Sequence, residues 1–499
     1  ASYGKIEMTG GTISGNYARN SWGDGGAIYL SGKKNDTGED YTASNASYCT
    51  IFDGNFTKNK SDGAGGAVCA DGYSILYVKG GTFENNAAAT TGGGINVYSS
   101  CLRMSDGKIS GNTAVSTNGS TGFGGGLNLT AGSVADITGG TIENNQSNSG
   151  GGIYANGKSS FTASNLKITG NTAATNGGGI CIPGTKDYEY NVSLENVLIQ
   201  GNKSESGCGA GIYAARAWKE ETSTGVLTLK NCQIKENYST VAGGGIYLDK
   251  GVTATMDGGE ISGNHVINPT SQTNGGGIAV GGTFTLNSGK ISDNIKDGSW
   301  NGGAAASVSG TFTMNGGEVS GNIDTCTAEN AENRTIGGGA FYVLGGTLNI
   351  NGGTITNNTS HRGGAIAFHY GPYNRGTVHI TGGKIVGNYV TGGEGGAINM
   401  TTAAKDEKDE NVIHDQTVAI SGSPIIANNK KGAVVNVNNG VYTVDTSAAT
   451  AENNIYLSLN NRSELGDEYA ERQTIHLGQL KDGASIGVTT ETKLQKGRT

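Results

Sequence analysis

The sequence predicts an all-β protein, a right-handed parallel β-helix (β-solenoid) of about fourteen coils with a C-terminal β cap. Three observations favour this fold. The 499 residues include 89 glycines but only 4 prolines, which indicates many tight turns rather than collagen or a proline-rich linker. One motif recurs roughly every 32 residues along the chain. Within each copy the apolar residues alternate with polar ones, as Phe312 and Met314 do, and this period is typical of a strand.

Each copy of the motif has the same order of features. Two alternating apolar residues are followed by Gly-Gly, a second short run with one apolar residue, an Asn, a variable loop and Gly-Gly-Gly-Ile. GGTFTLNSGKISDN at Gly281 and SGTFTMNGGEVSGN at Ser309 illustrate the match. We expect three short strands in each copy and one copy per coil. Because a single coil cannot bury its apolar residues, the stack of coils is the unit that folds.

The asparagine that ends the first half of the motif recurs in every copy. Stacking places equivalent residues above one another, so we expect these side chains to form a ladder of buried amides. Recurrence in every coil indicates a structural role rather than a sugar or metal site. The predicted ladder consists of Asn16, Asn59, Asn86, Asn112, Asn145, Asn171, Asn202, Asn237, Asn264, Asn294, Asn322, Asn358, Asn388 and Asn428.

The Gly-Gly signals end near Gly440. We therefore assign residues 1–439 to the β-helix repeats and 440–499 to a C-terminal cap or the start of a following module, since an open solenoid end needs a cover. The first residues enter the repeat directly, without the basic and apolar segments of a signal peptide. We expect either a cytosolic chain or, in view of the resemblance described below, part of a longer exported one.

Charge and cysteine content exclude several classes of function. A net charge of −8 argues against a nucleic-acid partner, which would require clustered Lys and Arg. No apolar run is long enough for a membrane-spanning helix. The seven cysteines match neither a zinc site nor a disulfide framework, and Cys49, Cys69 and Cys181 are expected to be buried thiols. We expect no metal and no cofactor.

Long loops are the places where a repetitive scaffold can carry a function. Five corners are long, and all five lie between the third strand of one coil and the first strand of the next. Register then places them along one edge. They read SGKKNDTGEDYTASNAS, PGTKDYEYN, ARAWKEETSTG, HYGPYNRG and TTAAKDEKDENVIHDQ.

Two neighbouring pairs of these loops supply the candidate ligand-binding residues. Aromatic rings beside charged groups can hold a sugar or an extended protein segment; the alternative is that the loops fold back and bury their own rings. The histidines around the second pair (His361, His369, His379 and His414) would need to converge for catalysis or metal binding. The candidates are Tyr188, Tyr190, Arg216, Trp218, Glu220, His369, Tyr370, Tyr373 and Arg375.

Two short motifs connect the chain to a known group of proteins. F-x-x-N occurs from Phe56 to Asn59 and from Phe83 to Asn86, and GGAI occurs at Gly25, Gly363 and Gly395. This pairing resembles the passenger repeats of chlamydial polymorphic membrane proteins and, more broadly, bacterial surface β-helix repeat proteins. The resemblance implies an extracellular or cell-surface location and an adhesin or spacer role, with a host or environmental glycan or a surface protein as the partner.

The expected function is therefore that of a non-catalytic adhesin or ligand-presenting stalk that binds through its long loops. A polysaccharide-active enzyme is the first alternative. It would need carboxylates at matching strand positions of successive coils, about 5–10 Å apart, whereas Asp136 and Asp257 are isolated in the sequence. The acidic residues of KDEKDE at Lys405 alternate with lysines, as in a solvated loop. A purely structural spacer is the second alternative.

Overall fold

A computed structural model describes most of the chain, and all regular structure in the described ranges is β-strand. No helix in these ranges is long and apolar enough to cross a lipid bilayer. The described residues are 4–20, 23–32, 47–116, 122–156, 158–186, 189–216, 224–267, 275–298, 302–326, 337–369, 376–400, 416–457 and 475–490.

The chain divides into two compact units. Unit 1 contains residues 1–240 and 244–255, and unit 2 contains residues 241–243 and 256–499. Each unit is a β-helix built from three sheets, and the described pairings within them are parallel except that Lys430–Lys431 pairs antiparallel with Ala451–Glu452 in unit 2. Sheet 1 contains the strand with alternating apolar residues and the short strand that follows Gly-Gly. Sheet 2 contains the short strand that follows the ladder asparagine. Sheet 3 contains the strand that follows Gly-Gly-Gly.

Most coils therefore have four short strands rather than the three that the sequence predicts. The additional strand, in sheet 2, is usually only two residues long, as at Thr113–Ala114. Two residues cannot display an alternation of apolar and polar side chains, so the sequence pattern contains no signal for it. The pairing register nevertheless continues through it, with Thr113 opposite Ala87 in one neighbouring coil and Gln146 in the other.

The strands of unit 1 follow this repeating order. In sheet 1 they are Lys5–Ser14, Tyr48–Thr57, Ile75–Val78, Thr82–Glu84, Cys101–Met104, Lys108–Ser110, Val134–Ile137, Thr141–Glu143, Ser160–Ser164, Lys167–Thr169, Tyr190–Glu195, Leu198–Gln200, Gly225–Lys230 and Gln233–Lys235. In sheet 2 they are Tyr17–Ala18, Lys60–Ser61, Ala87–Ala88, Thr113–Ala114, Gln146–Ser147, Thr172–Ala173, Lys203–Ser204 and Tyr238–Ser239. In sheet 3 they are Ile28–Ser31, Val68–Asp71, Ile95–Tyr98, Leu127–Thr130, Ile153–Ala155, Ile180–Ile182, Ile212–Ala214 and Ile246–Leu248.

Unit 2 repeats the arrangement, and the strand Val252–Ser262 contains the boundary residue between the units. In sheet 1 its strands are Thr283–Ser292, Thr311–Met314, Glu318–Ser320, Thr347–Ile350, Thr354–Thr356, Thr377–Ile380, Lys384–Val386, Thr417–Gly422, Ile425–Ala427, Ile475–Leu480 and Ser485–Ile486. In sheet 2 they are His265–Ile267, Ile295–Asp297, Ile323–Asp324, Thr359–Ser360, Tyr389–Val390, Lys430–Lys431 and Ala451–Glu452. In sheet 3 they are Ile278–Val280, Ala306–Val308, Phe341–Val343, Ile366–Phe368, Ile398–Met400, Ile455–Leu457 and Val488–Thr490.

The core of each coil consists of stacked apolar side chains. In unit 1, Phe56 and Phe83 are fully buried and their rings stack with centroids 4.8 Å apart. In unit 2, Phe284 and Phe312 stack in the same way at 5.1 Å. These spacings match the distance between neighbouring strands in a sheet, so equal residues in equal positions pack on one another from coil to coil.

The asparagines form a hydrogen-bonded ladder within each unit. Asn86 illustrates the pattern. Its side-chain amide donates to Oδ1 of Asn112 at 2.9 Å and to the carbonyl oxygen of Phe56 at 2.8 Å, and its backbone N–H donates to the same Oδ1 at 2.9 Å. The amide–amide bond repeats from Asn16 to Asn237 in unit 1 and from Asn264 onward in unit 2. Each buried amide is thus satisfied by its neighbours.

One predicted ladder position is corrected. The ladder passes through Asn429, which is fully buried, and not through Asn428, which has a φ of +56°. The residue before a ladder asparagine occupies the left-handed region, where Gly and Asn are tolerated best; Gly111, with a φ of +63°, fills this position before Asn112. In an Asn-Asn pair the second asparagine therefore enters the ladder. Asn429 then donates to Asn454, which adds a further rung.

A β-hairpin interrupts the coils of unit 2 near the predicted domain boundary. Val434–Asn438 pairs antiparallel with Val441–Asp445, and the turn residues Asn439 and Gly440 both have positive φ. Parallel pairing then resumes, since Ile455–Leu457 pairs with Ile398–Met400. The assignment of residues 440–499 to a separate cap or module stays a prediction.

Candidate functional site

Two stacked tyrosines on sheet 3 of unit 1 form the centre of the candidate site. Tyr213 and Tyr247 lie opposite each other in neighbouring strands. Their ring centroids are 5.2 Å apart and their planes differ by 6°. The residues on either side of Tyr213, Ile212 and Ala214, are fully buried in the core. Alternation along the strand therefore directs the tyrosine to the opposite face of the sheet, where both rings are half-buried.

The local sequence explains this placement. The strand that contains Tyr213 follows a tight turn in which Gly209 has a φ of +62°. A Cβ atom there would lie only 2.4 Å from the carbonyl oxygen of Ile212, so the turn requires glycine. The turn fixes the start of the strand, and Ile212 then sets which residues face the core.

An ion pair lies at the ends of the same two strands. Nε of Arg216 is 3.8 Å from Oδ2 of Asp249, and the two side chains are 25% and 33% exposed. Arg216 is the last described residue before residues 217–223. We call Tyr213, Tyr247, Arg216 and Asp249 the tyrosine–arginine patch. It combines two aromatic rings and two phenolic hydroxyls on the two strands with a cationic donor and an anionic acceptor just beyond the strand ends.

Burial affects the chemistry of the patch. It raises the pKa of Tyr247 to about 12 and raises the pKa of Tyr213 as well. Both phenols are therefore neutral at physiological pH and can donate as well as accept a hydrogen bond. The charges of Arg216 and Asp249 offset each other. These properties suit a neutral, hydroxyl-rich ligand better than a polyanion.

The sequence analysis missed Tyr213, Tyr247 and Asp249 because it searched for function only in the loops. A signal was nevertheless present. Two successive copies of the motif read GAGIYA and GGGIYL, and period-two alternation places the residue after the buried Ile on the outer face. A tyrosine at the same outer position of neighbouring coils predicts a stacked pair.

Tyr190 was expected to lie in a ligand-binding loop, and this expectation is corrected. Tyr190 is the first residue of the strand Tyr190–Glu195 and is only 2% exposed. It continues the inward alternation of Val192 and Leu194. Its ring covers Gly225 of the next coil so closely that a Cβ there would lie 2.1 Å from the tyrosine Cζ. Tyr190 is therefore a packing residue, and the strand begins earlier than the loop sequence suggests.

Most of the predicted loop residues lie outside the described part of the chain. These are Tyr188, Trp218, Glu220, Tyr370, Tyr373 and Arg375. The described strands still define where their loops are attached. Each of the five long connections leaves a sheet 3 strand and enters the next sheet 1 strand, as between Ile212–Ala214 and Gly225–Lys230. Two of them thus adjoin the strands beside the tyrosine–arginine patch. The ligand-binding role of the loop residues stays a prediction.

The described histidines of unit 2 lie on different parts of the coils. His369 follows a sheet 3 strand, His379 lies in a sheet 1 strand, and His361 follows a sheet 2 strand. Nδ1 of His369 is 2.5 Å from the hydroxyl of the fully buried Tyr342, and burial lowers the pKa of both His369 and His361. His414 is outside the described ranges. Among the described residues, no group of three or more His, Cys, Asp or Glu side chains is arranged to hold a metal ion.

A second aromatic group occupies sheet 2 at the first coil, but its polar atoms are engaged with one another. The ring of Tyr17 is 41% exposed, with the Arg19 guanidinium 5.1 Å and the Lys60 ammonium 4.9 Å from its centroid. Its hydroxyl donates to Asp62 at 2.5 Å, and the same carboxylate accepts from the backbone N–H of Asn20. This closed cluster is a weaker candidate than the tyrosine–arginine patch.

Comparison with known proteins identifies the fold more specifically. Residues 123–288, about a third of the chain, match the family model described as a right-handed beta helix region. Neither the curated proteins nor the solved structures contain a match to the chain. The match includes the coils that carry Tyr213 and Tyr247. The protein is thus a right-handed parallel β-helix with a repeated coil, as the sequence predicts.

Proposed function

We propose that this chain is a non-catalytic, surface-displayed binding protein that holds an extended glycan at the tyrosine–arginine patch. The observation that carries the proposal is the stacked pair of Tyr213 and Tyr247 next to the ion pair of Arg216 and Asp249. Aromatic rings with polar tips contribute apolar contact and hydrogen bonds together, which is what the apolar faces and hydroxyls of a sugar require.

The position of the patch supports an extended ligand. The two tyrosines belong to neighbouring coils, so equivalent contacts are repeated at the spacing between strands, about 4.8 Å. A polymer that crosses these two coils can contact both rings, and the second contact made by the same chain raises its total affinity. The long connections that follow Ile182 and Ala214 start at the same strand ends.

The surface location rests on the resemblance of the F-x-x-N and GGAI motifs to bacterial surface β-helix repeats. The right-handed β-helix match is compatible with an adhesin, a stalk or a polysaccharide-active enzyme. We favour binding without catalysis because the one carboxylate of the patch, Asp249, is paired with Arg216. A glycosidase would need two carboxylates about 5–10 Å apart on either side of the scissile bond.

A glycan array, run in parallel with an array of extracellular proteins, tests the proposal. The purified chain is compared with the double variant Tyr213→Ala/Tyr247→Ala and with Arg216→Ala. We expect binding of a specific glycan whose affinity falls roughly five- to a hundredfold in the double variant, because each of the two aromatic contacts contributes about 0.5–1.5 kcal/mol and a tenfold change is about 1.4 kcal/mol. Circular dichroism checks that each variant keeps its β structure.

The matched control is Tyr98→Ala, since Tyr98 is a 50% exposed tyrosine at the end of another sheet 3 strand of unit 1. Its binding should equal that of the unmodified chain. A signal on a protein with the same loss in the double variant would keep the patch and change the ligand class. Absence of any signal would favour the spacer alternative, and gradual loss of an arrayed polysaccharide would favour the enzyme.

A further inference from the structure

Two fully buried charged residues occupy core positions of unit 2 that small or apolar residues occupy in most other coils. In sheet 2 the second residue of each short strand points into the core and is Ala, Ser or Val in most coils, as at Val266, Ser360 and Val390. In two successive coils this position holds Lys296 and Asp324 instead. Both side chains are 0% exposed. A buried ion pair in a repeat built from apolar contacts requires an explanation.

The fold holds the two side chains in contact. Lys296 lies in the strand Ile295–Asp297, which pairs with the strand Ile323–Asp324. In this pairing Ile295 lies opposite Ile323 and Lys296 lies opposite Asp324. Nζ of Lys296 is 3.1 Å from Oδ1 of Asp324 and 3.2 Å from the carbonyl oxygen of Gly298. The backbone N–H of Cys326 donates to the same Oδ1 at 3.1 Å. Oδ2 of Asp324 is buried and has no hydrogen-bond partner among the described residues.

This environment leaves the buried ion pair incompletely satisfied. Removing an ammonium and a carboxylate from water is costly, and the pair regains this cost only when every polar atom is satisfied. Here one carboxylate oxygen has no partner, and it faces the backbone of Gly337, where a Cβ atom would lie 2.3 Å away. Burial raises the pKa of Asp324, although the neighbouring Lys296 opposes the shift.

We propose that Lys296 and Asp324 condense to an intramolecular isopeptide bond that joins two successive coils. In the proposed step the Lys296 ammonium passes a proton to the Asp324 carboxylate, Nζ attacks Cγ, the Nζ–Cγ bond forms, and the Cγ–Oδ2 bond breaks. Oδ2 leaves as water with the acid proton and one amine proton. One ammonium and one carboxylate thus become one amide and one water molecule, with no other reactant and no change in net charge.

The neighbouring atoms suit each step. Oδ1 remains as the amide oxygen, and the Cys326 N–H that already donates to it can stabilise negative charge on this oxygen during the attack. The leaving oxygen, Oδ2, is the one that has no hydrogen bond to break. The remaining N–H of the amide can donate to Gly298, which already accepts from Nζ. The product is neutral and keeps its hydrogen bonds in the core.

The sequence around the pair makes the test simple. Trypsin cleaves after free lysine and arginine but not after an acylated lysine. The unlinked protein gives separate peptides 291–296 and 297–334, because Arg334 is the next cleavage site after Lys296. The linked protein gives a single peptide 291–334 whose mass is lower than its sequence mass by one water. The intact denatured chain should be lighter by the same amount.

The internal control is cleavage at Lys290, which pairs with Glu318 between the same two coils at 3.5 Å but is about half exposed. It should be complete in the same digest. The variant Lys296→Arg keeps the charge but should show the full sequence mass and normal cleavage after residue 296. Separate peptides 291–296 and 297–334 from the folded, unmodified chain would overturn the proposal. A chain that is lighter by one water but is still cleaved after Lys296 would also overturn the proposal, because that result indicates a cyclic imide at an aspartate.

Discussion

Replacing Asn145 by alanine tests whether the asparagine ladder stabilises the fold. Asn145 is 1% exposed and lies in the middle of the ladder of unit 1. Its side-chain amide donates to Oδ1 of Asn171 at 2.9 Å and to the carbonyl oxygen of Ile109 at 3.0 Å. Its Oδ1 accepts from both the backbone N–H and the side-chain amide of Asn112, each at 2.9 Å. The substitution removes all four of these bonds, while the backbone of residue 145 can still donate to Asn171.

The expected loss follows from the groups that remain without partners. Two donors on Asn112 and the carbonyl of Ile109 stay buried after the substitution. A buried group that loses its hydrogen bond costs about 1–3 kcal/mol. Allowing for relaxation around the smaller side chain, we expect the free energy of unfolding to fall by about 3–5 kcal/mol.

Urea denaturation followed by far-ultraviolet circular dichroism measures this change. The matched control is Asn191→Ala, because Asn191 is exposed on the outer face of a sheet 1 strand of the same unit. It should change the free energy of unfolding by no more than about 0.5 kcal/mol. If Asn145→Ala and Asn191→Ala gave equal losses, the ladder would not be a source of stability and the reasoning would be refuted.

Three further predictions concern packing, thiols and pH. Gly225→Ala should lower the free energy of unfolding by about 1–3 kcal/mol because its Cβ would overlap the ring of Tyr190. Adding Tyr190→Leu should reverse part of this loss. If the losses of the two single variants simply added in the double variant, the contact would not be the cause. In the native protein, thiol titration at about pH 8 should detect one fast-reacting cysteine, Cys208, because the other six are buried. All seven should react in denaturant. Several fast-reacting thiols in the native protein would contradict the burial of these cysteines. Burial lowers the pKa of His265 and His369 below the ordinary 6.5, so between that value and the folded pKa the unfolded chain binds more protons. Stability should therefore fall as the pH drops below about 6.5, and less steeply in His265→Phe; an unchanged slope in that variant would refute the assignment.

The repetitive part of the fold was predictable because each coil repeats the same physical requirements. Alternating apolar residues specify the inward face, glycines specify the turns, and asparagines mark the ladder. The one shifted position, Asn428, precedes the correct residue in an Asn-Asn pair. The ladder asparagine stands three residues after the buried apolar residue, as Asn86 does after Phe83, and this spacing selects Asn429 after Ile426. The burial of Cys49, Cys69 and Cys181 was expected from their apolar surroundings and is confirmed.

The candidate site was harder to predict because its signal is weak in a single copy. The sequence directed attention to the loops around Trp218 and Tyr373, which lie outside the described residues. The patch instead depends on Tyr213 and Tyr247 being in register, and their shared motif position becomes informative only when neighbouring copies are compared. The prediction for Tyr190 was wrong because its charged and polar neighbours in the sequence resemble a loop, whereas Tyr190 begins a strand.

The ion pair of Lys296 and Asp324 was likewise hidden in the sequence. Both residues belong to segments that otherwise fit the consensus, and 28 residues separate them. Their contact follows only from the parallel register of sheet 2. A repeat protein can thus carry its unusual chemistry at ordinary repeat positions, where a search limited to insertions overlooks it.

Hydroxyl-radical footprinting of the chain, with and without the glycan identified on the array, tests the central claim most directly. Oxidation of each described tyrosine is quantified by mass spectrometry. We expect the glycan to protect Tyr213 and Tyr247 while the oxidation of Tyr98 and Tyr17, both exposed elsewhere on unit 1, stays unchanged. Protection of Tyr98 or Tyr17 with no change at Tyr213 and Tyr247 would contradict the assignment of the binding site to the tyrosine–arginine patch.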